Sequence, residues 1–447
     1  MHRLLWLAVA FSLALSASPA SAQSEKWVAS WTGSVQGPYP VGNPAAQPDL
    51  RFAFPAAPEG ARDQTFRLIV RPDLWGREAR LRFSNVFGTR PITLDGAFVG
   101  VQLSGAAIIP GTNVPVRFGH ERSVTIQPGK SVWSDPVRLA FVRDANAPEL
   151  AGRKLAVSFH IAGASGPMTW HAKALTTSYL TPPGAGAQGQ WEAETPFPLS
   201  TTSWYFLDAL EVKAPFTTRV VVAFGDSITD GTASTLNGDD RWPDVLSRRL
   251  HAKYGSGVSV VNAGIGGNQV VGPAEYSAEK PFAGGPAARD RLDRDVLSLS
   301  GVATVIWLEG INDFSKNGNA DVASVEAGMR DVTSRIRSRI SGVRVIGATI
   351  TSALGASNPA HGSPEQDQKR KALNDFIRHT GLFDGIADFD QATVDAKTGE
   401  LRAEFVPDST AGTPGDKLHP NRAGYLAMGN AVDLGLVMGE RGASARR

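Results

Sequence analysis

The chain has 447 residues, of which 42% are hydrophobic and 20% are charged, a composition typical of a globular protein. The length predicts two domains or more. The formal net charge of +2 gives no electrostatic case for binding nucleic acid or an anionic membrane surface. The sequence contains no cysteine, which excludes disulfides, thiol chemistry and cysteine-based metal sites.

The first 22 residues carry the pattern of an export signal. Arg3 precedes an apolar run over residues 4–17, and Ala20-Ser21-Ala22 fits a signal-peptidase site. The run is shorter than the ~20 apolar residues that a membrane span requires. We therefore expect a cleaved signal peptide over residues 1–22, a secreted or periplasmic protein, and no membrane span.

Residues 23–214 have the pattern of an all-β sandwich domain. After an opening strand and a long loop, apolar and polar residues alternate in short runs that Gly, Pro, Asn or Asp separate. We expect strands over 65–71, 79–84, 92–103, 114–118, 123–126, 137–142, 154–161, 168–180 and 204–212. Many short alternating strands at close spacing are typical of a β-sandwich.

Aromatic and basic side chains of this half suggest a sugar-binding face as one interpretation. The residues concerned are Trp75, Arg77, Trp133, Trp170, His171, Trp191 and Trp204. Large aromatic side chains dominate protein cores, and we therefore favour burial of the tryptophans. The sequence alone leaves open which face they occupy.

Residues 215–438 alternate between strand and helix patterns. We expect strands over 220–224, 258–263, 304–309, 343–350 and 386–389, and helices around 242–250, over 290–299 and 322–340, after 364 and after 420. This order predicts an α/β fold with a parallel sheet covered on both faces. Residues 439–447 are polar, and we expect a disordered tail there.

Four short motifs stand where strands of this half end or where its last helix begins. Gly-Asp-Ser, ending at Ser227, follows the first strand; VVNAGIGGNQ (260–269) contains the second; Gly-Ile-Asn-Asp, with Asn312, follows the third. Asp416 and His419 precede the last helix. A serine at a helix start faces N–H groups that favour a developing negative charge. An imidazole held by a carboxylate can take the serine proton, so these residues predict nucleophilic catalysis.

These motifs, in this order, resemble those of the SGNH family of GDSL-type esterases and lipases, over roughly residues 219–435. The resemblance implies a flavodoxin-like three-layer parallel sheet for the second domain. It implies an acyl-enzyme mechanism with Ser227 as the nucleophile, His419 as the general base and Asp416 as the group that orients the imidazole.

The resemblance also implies three donors to the oxyanion: the backbone N–H groups of Ser227 and Gly267 and the side-chain amide of Asn312. Gly264 and Gly266 lie in the same loop; Gly267 is aligned because it follows an asparagine by five residues, as in the family's pattern. We expect four further side chains to organise the surrounding loops rather than act as acids: Asp226, Asn262, Asn268 and Asp313.

No pattern in the sequence predicts a metal, a nucleotide or another cofactor. The glycines at 264 and 266 lack the third glycine of a dinucleotide fingerprint, because residue 269 is Gln. His251, His361 and His379 stand isolated, without the spacing of a metal site.

The sequence therefore predicts an exported serine esterase for small-molecule or glycan esters of short acyl groups, acetyl above all, without cofactor or metal. The loops over 268–286 and 352–363 favour short chains, since neither contains an amphipathic helix that could cover a long acyl group. Two alternatives stay open: a lipase or lysophospholipase for longer chains, and a carbohydrate-binding protein with an inactive hydrolase domain. We expect no nucleic-acid partner, and the oligomeric state stays open.

Overall fold

The computed structural model describes residues 24–440, so the predicted signal peptide and residues 441–447 lie outside the described residues. Gly439 and Glu440, which we expected in a disordered tail, are held in place. Gly439 ends the last helix with φ +71°, and Glu440 Oε1 accepts a hydrogen bond from the Tyr254 hydroxyl at 2.8 Å. Within this part of the chain, no helix is both long and apolar enough to cross a bilayer.

The first half is rich in β-strands, as predicted. In chain order its strands are β1 (Glu25–Thr32), β2 (Gly37–Pro38), β3 (Arg62–Val70), β4 (Glu78–Ser84), β5 (Ile92–Ser104), β6 (Ala107–Ile108), β7 (Val114–Pro115), β8 (Ser123–Ile126), β9 (Ser131–Trp133), β10 (Val137–Arg138), β11 (Leu155–Ala164), β12 (Thr169–His171), β13 (Ser178–Leu180), β14 (Leu199–Thr201), β15 (Trp204–Tyr205) and β16 (Leu207–Pro215).

These strands form antiparallel sheets. One sheet has the order β1-β16-β4-β10, with β9 on β4, and a larger one has the order β14-β13-β3-β11-β5-β6, with β7 and β8 on β5. A small third sheet, β15-β12-β2, lies beside them. The strand expected over 168–180 is wrong as a single element, because β12 and β13 belong to different sheets. The chain leaves the sheet between them, and the Leu175 carbonyl there accepts a hydrogen bond from Asn237 N–H of the second half at 2.9 Å.

Most of the singled-out tryptophans belong to the core. Trp75, Trp170 and Trp204 are buried, as we favoured, and His171 is buried with them. Trp191 differs, since 53% of its surface is exposed. A single exposed tryptophan does not make a sugar-binding face, so these side chains support the core interpretation.

The second half alternates strands and helices. Its elements are β17 (Arg219–Gly225), α1 (Ser227–Asp230), α2 (Trp242–Tyr254), β18 (Val258–Gly264), α3 (Ala288–Leu292), β19 (Val302–Leu308), α4 (Val322–Arg339), β20 (Arg344–Ala348), α5 (Pro364–His379), β21 (Gly385–Ala387), α6 (Phe389–Thr393), α7 (Arg422–Ala431) and α8 (Leu434–Met438). The strands form a parallel sheet in the order β18-β17-β19-β20-β21.

Alternate residues of β17, which lies between β18 and β19, pack on opposite faces of this sheet. Val221 and Ala223 share an apolar cluster with residues of α2, α7 and α8, whereas Val222 and Phe224 share one with residues of α3, α4 and α5. Both faces of the sheet are therefore covered by helices. The carboxyl ends of β17, β18 and β19 meet at one edge, which is where a parallel sheet places its ligand crevice.

Two predicted elements of this half need correction. The helix expected over 290–299 is the short α3 followed by a wider π-helical turn, Asp293–Leu297. The fifth strand ends earlier than expected, because the Asp388 side chain accepts a hydrogen bond from Gln391 N–H and caps α6 instead of continuing the strand.

The two halves of the chain are packed together, and no long linker joins them. Only residues 216–218 separate β16 from β17. Strand β1 lies against β18, where the Ser259 hydroxyl donates to the Ala29 carbonyl at 2.7 Å and the Thr32 hydroxyl donates to the Asn262 carbonyl at 2.7 Å. One apolar cluster contains core residues of both halves, so the first half is positioned to contribute to a site on the second.

Candidate active site

Ser227 stands at the junction of β17 and α1. The side chain of Asp226 accepts a hydrogen bond from Ile228 N–H at 2.9 Å and thereby caps α1, so that Ser227 is the first residue of the helix. A cap of this kind is the usual start of a helix after a strand. The serine side chain thus lies at the carboxyl edge of the sheet, where only 5% of the residue is exposed.

The structure brings Ser227, His419 and Asp416 into one hydrogen-bonded row. Ser227 Oγ lies 2.8 Å from His419 Nε2, and His419 Nδ1 lies 2.6 Å from Asp416 Oδ2. Asp416 Oδ1 accepts hydrogen bonds from the N–H groups of Leu418 and His419 at 2.9 Å each, which ties the pair into one tight turn. Burial favours the protonated form of Asp416, but the imidazole and these N–H groups outweigh it and lower the pKa of the carboxyl. A carboxylate that stays ionised can hold the imidazole in one orientation.

The three predicted oxyanion donors border the cavity beside Ser227. Gly267 lines this cavity, as does Asn312. The Asn312 amide donates one of its protons to the Asn268 carbonyl at 2.9 Å and keeps the other. Within residues 24–440, neither Ser227 N–H nor Gly267 N–H donates to another residue of the chain.

Residues 264–267, here called the glycine loop, contain three glycines, and each of them makes different contacts. Gly264 packs against α1, since a Cβ at this position would lie 2.3 Å from Asp230 N. Gly266 uses its N–H for a hydrogen bond to Asp230 Oδ2 at 3.0 Å. Gly267 faces the cavity with φ +86°, a conformation that favours glycine. Of the three glycines, Gly267 is therefore the one placed to donate into the cavity.

The amides expected to organise the loops lie behind the site. Asn262 donates to the Thr229 carbonyl at 2.7 Å and accepts from Gly264 N–H, which joins the end of β18 to α1. Asn268 donates to two carbonyls at the far end of the loop over 268–286, those of Gly284 and Pro286, at 2.6 and 2.7 Å.

Buried carboxyls also organise these loops. Asp313 accepts hydrogen bonds from the N–H groups of Val270 and Val271 at 2.9 and 3.0 Å. Burial raises the pKa of Asp313 to about 7 and raises that of Asp226 well above its ordinary value. Neither residue lines the cavity, so their place agrees with the expected role in loop structure.

The cavity beside Ser227 is largely polar and has a volume of about 330 Å³. Its apolar lining includes Phe282 and Leu418. Its polar lining includes side chains that sequence reasoning missed or set aside: Asn43, Lys173, Gln269, Asn317, Asn358 and His361. Within the described part of the chain, no group of three or more His, Asp or Glu side chains could hold a metal ion.

His361 needs correction, because the sequence presented it as isolated and the structure places it in the cavity wall. Burial and the neighbouring His419 lower the pKa of His361 to about 4. Its imidazole is therefore neutral near neutral pH and offers one donor and one acceptor nitrogen. The available signal was its position in the loop over 352–363, which we expected to border the site.

Asn43 brings the first half of the chain to the glycine loop. Its Nδ2 donates to the Gly266 carbonyl at 3.1 Å. This carbonyl and the Gly267 N–H belong to one planar peptide group, in which they point in opposite directions. The hydrogen bond from Asn43 therefore orients the N–H group of Gly267. No local sequence signal identified Asn43.

A second residue of the first half, His171, contacts Asp230, which in turn accepts the hydrogen bond from Gly266 N–H. Asp230, which accepts from Gly266 N–H, has its other oxygen 3.1 Å from His171 Nε2. His171 Nδ1 lies 2.7 Å from the Ser34 carbonyl. Burial opposes the charged imidazole, but Asp230 and Ser34 outweigh it and raise the pKa of His171.

Comparisons with known proteins agree with the motifs. Residues 223–427 match the sequence model of the GDSL-like Lipase/Acylhydrolase family. A comparison with curated proteins found no match.

Three solved structures illustrate the similarity to known folds. A carbohydrate acetylesterase from Sinorhizobium meliloti is 16% identical, with a TM-score of 0.36, and the match covers 48% of this chain and 96% of that one. The aryl esterase of M. Smegmatis is 17% identical with a TM-score of 0.36, over 48% and 96% of the two chains. A lipase/acylhydrolase from Enterococcus faecalis is 24% identical with a TM-score of 0.35, over 48% and 93%. On the family match, residues 223–427 form a GDSL-like lipase/acylhydrolase domain, and the protein is a carboxylic ester hydrolase.

Proposed function

We propose that this protein is an exported serine esterase that removes short acyl groups, acetyl above all, from polar alcohols such as carbohydrates. The observation that carries the proposal is the row of contacts from Ser227 Oγ through His419 to Asp416, at the edge of a polar cavity. The signal-like pattern of residues 1–22 supports export.

In the proposed mechanism, His419 takes the proton of Ser227 Oγ as the oxygen attacks the ester carbonyl. Asp416 stabilises the imidazolium that forms. The tetrahedral oxyanion accepts hydrogen bonds from Ser227 N–H, Gly267 N–H and the free amide proton of Asn312. The C–O bond to the alcohol then breaks, and His419 returns the proton to the departing oxygen. Water then attacks the acyl carbonyl while His419 takes one of its protons. The C–O bond to Ser227 Oγ breaks, His419 gives the proton to the serine oxygen, and the acid is released.

The polar lining of the cavity supports a short acyl group and a polar alcohol. A longer acyl chain gains ~0.8 kcal/mol for each methylene that it buries, but only against an apolar groove. Amide, imidazole and ammonium groups border this cavity, while Phe282 and Leu418 are among its few large apolar residues. Methylenes beyond the first few should therefore stay in water, which weakens the lipase alternative.

We also infer the finer architecture that the contacts suggest. Apolar residues of β4 and β16 share one cluster with those of β3 and β11, which supports a sandwich of the two larger antiparallel sheets. The strand order β18-β17-β19-β20-β21, with helices against both faces, supports flavodoxin-like layering of the second half.

A chain-length series of soluble 4-nitrophenyl esters, each below its micelle concentration, tests the function. We expect kcat/KM to be highest for acetyl to butyryl and to fall steeply by dodecanoyl. A maximum at the longest chains would favour a lipase, and a folded protein that hydrolyses none of the esters would favour the carbohydrate-binding alternative.

Two serine variants tie this activity to the site. Ser227→Ala should lower kcat by at least about 10³-fold, since only the oxyanion donors and binding remain. The matched control is Ser234→Ala, a buried serine of the loop after α1 outside the row of contacts with His419. Near-normal turnover in the Ser227→Ala variant would exclude Ser227 as the nucleophile.

A further inference from the structure

Lys173 is a buried cation in the wall of the cavity. It follows β12 in the first half, only 5% of its surface is exposed, and it lines the same cavity as Ser227 and His419. Its Nζ donates to Thr232 Oγ1 at 2.5 Å and lies 3.2 Å from the point that a Cβ on Gly266 would occupy. The ammonium therefore lies beside the glycine loop, close to the predicted reaction centre.

The charge of Lys173 is not neutralised by a direct partner. Within residues 24–440, no carboxylate oxygen lies within 4.0 Å of its Nζ. Asp230 is engaged with His171 and the Gly266 N–H, and Asp416 is engaged with His419. Burial lowers the pKa of Lys173, and these more distant carboxylates oppose that effect.

Lys173 stands alone as a charged side chain among the described residues that line the cavity. As far as the described residues define this wall, Lys173 is its one Asp, Glu, Lys or Arg side chain. An ammonium has three donors, and the Thr232 hydroxyl accepts from one of them, which leaves two for a molecule in the cavity. A buried charge without a paired counter-charge is costly, and an anionic ligand would remove that cost.

We propose that Lys173 forms an anion subsite and that the preferred substrates carry a carboxylate close to the scissile ester. The inference rests on the proposed esterase function and adds the charge of the substrate to it. A carboxylate in the cavity accepts a charge-assisted hydrogen bond from the ammonium. It can belong to the alcohol, as in an acetylated uronic acid, or to the acyl group, as in a hemisuccinate ester.

The test compares esters that differ by one charge. The first pair is an acetylated methyl glucuronoside and its glucuronamide, which keeps the shape and removes the charge. The second pair is a hemisuccinate of a neutral glucoside and the methyl ester of that hemisuccinate. We expect kcat/KM to favour the charged member of one pair by about tenfold to a hundredfold, as for other hydrogen bonds between charged groups. The favoured pair identifies the source of the carboxylate.

Three variants assign the preference to Lys173. Lys173→Met should reduce the ratio of the two kcat/KM values to about one, whereas Lys173→Arg should keep most of it, because the charge persists. The matched control is Lys316→Met, which removes the same charge from an exposed residue next to the wall residue Ser315 and should keep the full ratio.

Each failure has a separate meaning. If the wild-type enzyme hydrolyses both members of both pairs equally, the anion subsite is wrong and the esterase function stands. If Lys173→Met loses activity on charged and neutral esters in equal proportion, Lys173 has a structural role and the subsite is again wrong. If no ester is hydrolysed at all, the proposed function itself fails.

Discussion

The two protons of the Asn312 side-chain amide differ in their hydrogen bonding. One is donated to the Asn268 carbonyl at 2.9 Å, which fixes the plane of the amide, and the other is left for the cavity beside Ser227. A donor that is already oriented needs no reorganisation when negative charge develops on a substrate oxygen. We therefore expect Asn312 to act on the transition state rather than on the bound ester.

Asn312→Ala should lower kcat by about 10²–10³-fold with little change in KM, the size of effect seen when one oxyanion donor is removed. Asn312→Asp is the matched variant, because it keeps the shape of the side chain and replaces the donor by an acceptor; it should be at least as slow. Steady-state kinetics on an acetyl ester measure both values. A rise in KM at unchanged kcat would make Asn312 a residue for substrate binding instead.

The glycine loop is an element whose shape is set from both halves of the chain. Its Gly266 peptide nitrogen is held by Asp230 at the end of α1, and its carbonyl is held by Asn43 of the first half. Ser227 begins α1 and Asp230 ends it. One short helix thus links the position of the nucleophile to that of the glycine loop.

Asn43→Ala should reduce kcat about threefold to tenfold, the effect of losing one hydrogen bond that orients the Gly267 N–H. Affinity for a boronic acid that mimics the tetrahedral intermediate should fall in the same proportion, since both depend on that donor. The control is Gln102→Ala, which removes a side-chain hydrogen bond to the Gly105 carbonyl elsewhere in the first half. Weaker ester binding with unchanged kcat would show that Asn43 contacts substrate and does not position the loop.

At the scale of the whole molecule, two histidine–aspartate pairs join the halves. His251 Nε2 of α2 lies 2.9 Å from Asp73 Oδ2, and His171 Nε2 lies 3.1 Å from Asp230 Oδ1. Burial opposes the charged imidazole in each pair, but the carboxylate outweighs it and the pKa of each histidine is raised. Burial also raises the pKa of Asp313 to about 7. The folded chain therefore holds protons at these sites more tightly than the unfolded chain does.

We expect the free energy of unfolding to fall as the pH rises through neutrality. A histidine with a raised pKa contributes stability that is complete below its unfolded pKa of about 6.5 and is lost as the pH rises through the folded value. Asp313 also lowers the free energy of unfolding as the pH rises from about 4, its unfolded pKa, to its folded pKa of about 7. Urea unfolding, followed by tryptophan fluorescence on both sides of neutrality, measures the change.

A glutamine variant tests the contribution of the interface. His251→Gln should flatten the pH dependence because it removes one of the titrating groups. His379→Gln is the matched control, since His379 is exposed on α5 and its ion-pair partner among residues 24–440 is Asp375 of the same helix. The same slope in His251→Gln as in the wild type would exclude the Asp73 pair as a source of the dependence.

The sequence is informative wherever a site residue follows directly from a strand or precedes a helix. Ser227 and Asn312 are placed by the order of the parallel strands, which a local pattern predicts, and His419 lies shortly before α7. Asn43 and Lys173 are different, because their partners Gly266 and Thr232 lie 223 and 59 residues away along the chain.

Contacts of that kind arise only when one half packs on the other, and no local pattern encodes them. The same packing explains the broken strand over 168–180. Between β12 and β13 the chain turns toward the second half and presents Lys173 to the cavity, so tertiary contacts override the alternating pattern.

The two hydrogen bonds that hold Gly266, from its N–H to Asp230 and from Asn43 to its carbonyl, also have a consequence for folding kinetics. A chain whose two halves have each folded but have not docked would possess Ser227 and His419, yet its Gly267 N–H would have no fixed direction. Such intermediates are common in chains of this length, and this one would be nearly inert. During refolding from urea, ester hydrolysis should therefore return later than secondary structure. The delay between the two signals measures the docking of the two folded halves.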